Sequence, residues 1–147
     1  MLLVLVGVSI ASAQETVDIT VPSFVTFHVT DVSQTSTDPS TIVRFANAVL
    51  EPDRVLHVSV LAETSEFSGP GGSIAASSVS WTGSNAQGGF GSNGTLSASS
   101  YTEVFRSQIL AESGSIDLRW TLGPPGANIL ASAYDLTLRW KIESIAP

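Results

Sequence analysis

Apolar side chains recur at every second position through several stretches of this chain. Ile116, Leu118, Trp120 and Leu122 alternate with Ser115, Asp117, Arg119 and Thr121. Nearer the end Tyr134, Leu136, Leu138, Trp140 and Ile142 alternate with Asp135, Thr137, Arg139, Lys141 and Glu143. A period of two sends successive side chains to opposite faces of a strand, so both runs predict strands with one buried and one solvated face. Val17, Ile19 and Val21 share one parity, which Val25, Phe27 and Val29 continue beyond Pro22-Ser23. Proline cannot donate a ladder hydrogen bond, and the pair therefore predicts two short strands separated by a kink. Leu56, Val58, Val60 and Ala62 mark a further strand, and Thr41–Phe45, Ser78–Trp81, Thr95–Ser99 and Thr102–Leu110 read as shorter ones. A helical turn is the alternative within Ile42–Val49 and Tyr101–Leu110.

Turn signals punctuate these runs: Asp38-Pro39-Ser40, Glu51-Pro52-Asp53-Arg54, Gly69-Pro70-Gly71-Gly72 and Gly123-Pro124-Pro125-Gly126. Between Gly83 and Gly94 there are five glycines in twelve residues, which excludes a helix and predicts a loop or a bulged hairpin end. Roughly eight to ten short strands without a 3.6-residue apolar stripe predict an all-β fold. The expected architecture is an antiparallel two-layer β-sandwich, immunoglobulin-like or fimbrial-subunit-like, with a closed barrel as runner-up. If the two tryptophan-bearing strands form a direct hairpin, opposing Leu118 to Leu138 and Asp117 to Arg139 is the better register, because the alternative brings Arg119 against Arg139. A crossover connection would instead place them in different sheets.

Composition narrows the setting. Residues Leu2 to Ile10 are almost wholly apolar and Ala11-Ser12-Ala13 follows, the form of a secretory signal peptide over 1–13 and a single secreted domain over 14–147. No Lys or Arg precedes the apolar run, so the positive segment of such a leader is missing, which leaves open a start upstream of Met1; the alternative is a buried N-terminal strand in a cytosolic protein. The run is too short for a membrane span, and no integral span is expected in the mature chain. A net charge of -7 with six basic residues disfavours nucleic acid and anionic membranes as partners. Charged residues make up 13% of the chain, against roughly a quarter in ordinary globular domains, so Ser, Thr, Gly and Asn must cover the surface. There is no cysteine, and stability cannot draw on disulfides.

No residue cluster nominates a reaction. His28 and His57 are the only histidines, each on the polar parity of its strand, and structural or surface roles are expected for both. No Gly-x-Ser-x-Gly elbow is present. Asp31 and Asp38 lack calcium-loop spacing, and neither a metal nor a cofactor is expected. Trp120 and Trp140 fall on apolar parity and are expected in the core. Trp81, Phe90 and Tyr101 around the glycine-rich segment are the candidate ligand surface. Asn93-Gly94-Thr95 matches a glycosylation acceptor.

Trp120-Thr121-Leu122, and the closing Tyr134–Ile142 run with Trp140, resemble the paired tryptophan motifs of WxL domains, modules of Gram-positive cell surfaces. Ile142 stands where the second motif has Leu. The resemblance implies association with a cell envelope and says nothing of a particular glycan. The expected function is a non-enzymatic extracellular structural subunit of a filament, fimbria-like assembly or surface layer, self-associating or bound to other envelope proteins. Val17, Ile19 and Val21 are the candidate subunit contacts, through a strand over Gln14–Val21 exchanged between copies; a first strand docked in its own domain is the alternative. A carbohydrate-binding or adhesion module recognising a cell-surface glycan is the alternative.

Overall fold

The computed structural model describes residues 14–37, 40–70 and 72–147, and the leader expected over 1–13 lies outside them, as does Asp38. The described residues form eleven strands and one 3-10 turn, Ala76–Ser78. The strands are β1 (Thr16–Thr20), β2 (Phe24–Val29), β3 (Ser36–Thr37), β4 (Thr41–Val49), β5 (Val55–Ala62), β6 (Val79–Gln87), β7 (Gly89–Gly91), β8 (Gly94–Thr95), β9 (Thr102–Ser107), β10 (Gly114–Leu122) and β11 (Ser132–Ile145). They build a two-layer antiparallel sandwich. One sheet runs β1-β4-β10-β6-β8, with β3 also paired to β10, and the other runs β2-β11-β5-β9-β7.

The alternation in the sequence becomes the division between core and solvent. Val43, Phe45, Trp81, Ile116, Leu118 and Trp120 line the inner face of the first sheet, and Val25, Phe27, Val58, Val60, Tyr134 and Leu136 that of the second, all buried. Phe45 and Phe105 meet across the layers with ring centroids 5.7 Å apart. Trp81 and Trp120 are register partners on β6 and β10 and pack at 5.7 Å with planes inclined by 54°. Each buried indole satisfies its N–H: Trp120 Nε1 donates to Thr41 Oγ1 at 2.8 Å, and Trp81 Nε1 to the Ser92 carbonyl at 2.8 Å. Both groups would otherwise carry a desolvation penalty.

Two expectations change. The tryptophan-bearing strands are not a hairpin: β10 lies between β4 and β6, whereas β11 lies between β2 and β5 in the other sheet. The connection crosses from one layer to the other, so Leu118 opposes Gly83 and Thr41, while Leu138 opposes Ala62. Ile42–Val49 is a strand throughout, not a helical turn, because Val43, Phe45 and Ala48 all reach the core; a bend at Asn47, with φ of 52°, absorbs the break in alternation. Trp140 has the expected inward parity but sits at the rim, half-buried, with Nε1 donating to the Pro22 carbonyl at 2.6 Å.

Pro22-Ser23 is the point where the chain changes sheets. β1 adds to β4 in the first layer and β2 to β11 in the second. The Leu138 N–H donates to the Ser23 carbonyl at 2.9 Å and fixes the crossing.

Candidate functional site

The outer face of the second sheet carries a cross-strand array that parity alone could not reveal. Phe90 on β7 opposes Arg106 on β9, Arg106 opposes His57 on β5, and His57 opposes Glu143 on β11. In the next row, Glu103, Ser59 and Lys141 are aligned across β9, β5 and β11. A register shift between Val58 and Ser59 makes this possible. The bulge inserts Val104 into β9, buried beside Phe105, and returns Glu103 to the face occupied by Arg106.

Glu103 is the hub. Its Oε2 accepts from Arg106 Nη2 at 2.9 Å and lies 2.7 Å from His57 Nε2, while Oε1 accepts from Ser92 Oγ at 3.3 Å. Glu143 accepts from Lys141 at 2.7 Å and lies 3.8 Å from His57 Nδ1, and Arg139 pairs with Glu63 at 3.0 Å. Arg106 Nε is enclosed without a hydrogen-bond partner. Partial burial acts to raise the Glu103 pKa, but the hydrogen bonds and charges of Arg106 and His57 outweigh it and hold the carboxyl below its ordinary 4.5. The Lys141 hydrogen bond likewise lowers Glu143, against a smaller opposing effect of burial.

A depressed folded-state pKa stabilises the fold above the unfolded value, and the contribution disappears as pH falls through the folded value. Glu103→Gln is accordingly expected to lower stability at pH 7 by about 1 kcal/mol after allowance for solvent screening. The difference from the parent should shrink as the pH drops below 4.5. Urea denaturation of both proteins at pH 7 and pH 3 checks this; a gap that persists undiminished at pH 3 contradicts it.

Ser59, His57 and Glu103 bring together the residue types of a hydrolytic triad without its geometry. Ser59 Oγ stands 3.4 Å from His57 Nδ1, and Ser59 is 3% exposed, leaving no approach for a substrate carbonyl. Among the described residues no group of three or more His, Asp or Glu side chains is placed to hold a metal ion. His28 is exposed on the outer side of β2, and Asp31 Oδ1 is occupied by the Ser33 N–H and hydroxyl at 2.9 and 2.6 Å.

The candidate ligand surface divides. Trp81 is 2% exposed and packed at a tilt against Trp120, so its ring cannot meet a ligand, and this part of the expectation is corrected. The strand containing it continues past Gly83 to Gln87, which carries the indole inward. Phe90 and Tyr101 are 64% and 39% exposed. Gly89 and Gly91 face Phe105 and Ile116 at positions where a side chain would collide, and alternation therefore turns Phe90 outward. Tyr101 lies under the Lys141 ammonium, 5.9 Å from its ring centroid, at the far end of β9. Both rings thus belong to the face that holds Glu103.

Val17 and Ile19 are half-buried on β1 and rest against the rim of the core, as does Val21 just beyond it. Polar contacts pin the strand: Asn47 Nδ2 donates to Asp18 Oδ2 at 2.8 Å, and Glu15 Oε1 accepts from the Glu51 N–H at 2.8 Å and Ser144 Oγ at 2.7 Å.

No protein-family model matches this chain, and no curated protein or solved structure does. The likeness to WxL modules rests on Trp120-Thr121-Leu122 and the closing strand alone.

Proposed function

We propose that this chain is an extracellular structural subunit that joins neighbouring copies by exchanging β1. The observation that carries the reading is the inequality of the sandwich's edges. On one side both sheets end in stubs, the three-residue β7 and two-residue β8. On the other, among the described residues, they end in β1 and β2, five and six residues long and without a Lys or Arg. Unpaired strand edges invite pairing, and short strands or basic side chains are the usual means of preventing it. Pro22-Ser23 makes β1 separable, because β2 stays in the other sheet whether β1 docks on its own β4 or on that of another copy. Val17 and Ile19 carry the same contacts in either case, which is the condition for a swap at low energetic cost. The apolar Leu2–Ile10 segment with Ala11-Ser12-Ala13 and the sparsely charged surface support an exported setting.

The register supplies a direct test, since Thr20 opposes Arg44 and both are exposed. The native chain has no cysteine to interfere. Chains carrying only Thr20→Cys are unfolded, mixed with chains carrying only Arg44→Cys, refolded together at high concentration and oxidised. Exchange predicts disulfide-linked pairs containing one chain of each kind, and filaments or oligomers of the unmodified protein by electron microscopy. Absence of mixed pairs, with the double variant closing its disulfide within single chains, overturns the proposal.

A further inference from the structure

The outer face of the second sheet has features that strand exchange does not use. Phe90 and Tyr101 expose aromatic rings at the two ends of β9, separated by about five strand positions and hence roughly 15 Å. Arg106 and Glu103 lie between them on β9, and His57, Lys141 and Glu143 flank these on β5 and β11, arranged in two rows by backbone register. Each cation in this array is already matched: Arg106 with Glu103, Lys141 with Glu143. The array consequently has no surplus charge with which to recruit an ion. It keeps carboxylate lone pairs and ammonium and guanidinium N–H groups that can bond a further partner, held on strands and cross-linked to one another.

We infer that this face binds a neutral oligosaccharide, with sugar rings packing against Phe90 and against the part of Tyr101 that Lys141 leaves exposed, and ring hydroxyls bridging the paired charges beside them. The chemistry is complementary at both scales. A pyranose ring offers a patch of C–H groups to an aromatic face and a rim of hydroxyls that both donate and accept, so it suits alternating carboxylates and cations better than an ion of either sign. A roughly 15 Å interval between the rings fits a short linear oligomer rather than a monosaccharide. The strands fix the two aromatic anchors relative to the polar groups before any ligand arrives, which limits the ordering cost of binding. This site lies on a sheet face and β1 on an edge, and each proposal stands without the other.

The test uses the full chain and a panel of cellohexaose, chitohexaose, xylohexaose and mannohexaose, with polygalacturonate as a polyanion. Titration calorimetry should detect at least one neutral oligomer, and amide NMR shifts on adding it should centre on Phe90, Tyr101, Glu103 and Arg106. Phe90→Ala and Tyr101→Ala, both at exposed positions, should each weaken that binding at least tenfold while leaving the thermal midpoint in place. Ile42→Ala, an exposed apolar residue on the outer face of the opposite sheet, should leave affinity unchanged. Binding to none of the neutral oligomers at millimolar concentration overturns the inference. So does binding confined to polygalacturonate, or binding indifferent to loss of both rings.

Discussion

Trp120→Ala is expected to cost about 3–5 kcal/mol of folding stability, the range for emptying a fully buried aromatic position. Against a typical domain stability of about 5–15 kcal/mol, that loss leaves a marginal or unfolded protein. The indole is completely enclosed, packs at a tilt against Trp81 and bonds to Thr41, so truncation removes apolar burial, an aromatic contact and the partner of a hydroxyl together. The surrounding strands cannot close the gap easily, because β10 is hydrogen-bonded on both sides, to β4 and to β6. Urea denaturation should show the midpoint falling sharply, and near-UV circular dichroism should lose the signal of two indoles rather than one as Trp81 loses its rigid partner. A loss under about 1 kcal/mol would mean that the site collapses around the cavity.

Gly88→Ala is expected to be nearly as damaging although it adds only a methyl group. Gly88 turns the chain from β6 to β7 with φ of 68°, a left-handed conformation that costs an L-residue about 1–2 kcal/mol. A Cβ there would also collide with the Ser113 carbonyl oxygen and stand 3.1 Å from Gly114 Cα, both backbone atoms of the strand entry beside it. Backbone cannot rotate aside as a side-chain end can, and overpacking adds about 1–3 kcal/mol. The total expected loss is about 3 kcal/mol. Gly126→Ala is the control: φ is 96°, but nothing lies within 4 Å of the added methyl, so only the conformational cost remains. Equal losses at the two positions by thermal or urea denaturation would show that the collision at Gly88 is relieved by movement of β10.

The faces of the long strands were legible in the sequence because one side of each is buried and the other wet; Ile116–Leu122 and Tyr134–Leu138 follow their parity. Their neighbours were not legible. Period two specifies a face and carries no information about pairing, so β10 and β11 could be read as a hairpin until the crossing after Leu122 separated them. The glycine-rich segment hid β6 to β8 for a different reason. Gly83 and Gly91 occupy inward positions where the Ile116 side chain takes the space, so the strands lack their own apolar signal. With its strand read as ending at Trp81, the indole stood beside an expected loop and entered the candidate ligand surface. The candidate site was readable in fragments. His57 and Ser59 shared a polar parity, and Phe90 and Tyr101 were named individually, but their union with Glu103 and Glu143 depends on the Val104 bulge and on two strand registers that no local pattern encodes.

The position of β11 has a kinetic consequence. Among the described residues its first half is the sole hydrogen-bonded strand partner of β2, and its second half pairs with β5. The Thr26 hydroxyl and the Asp135 carboxylate, joined in the finished sheet, are 109 residues apart in sequence. As the chain is made from its amino end, Val25, Phe27 and Val29 must therefore wait, apolar and unpaired, for the last strand to emerge. Non-local pairing of this kind makes folding slow. Fold completion is thereby timed by arrival of Ser132–Ile145.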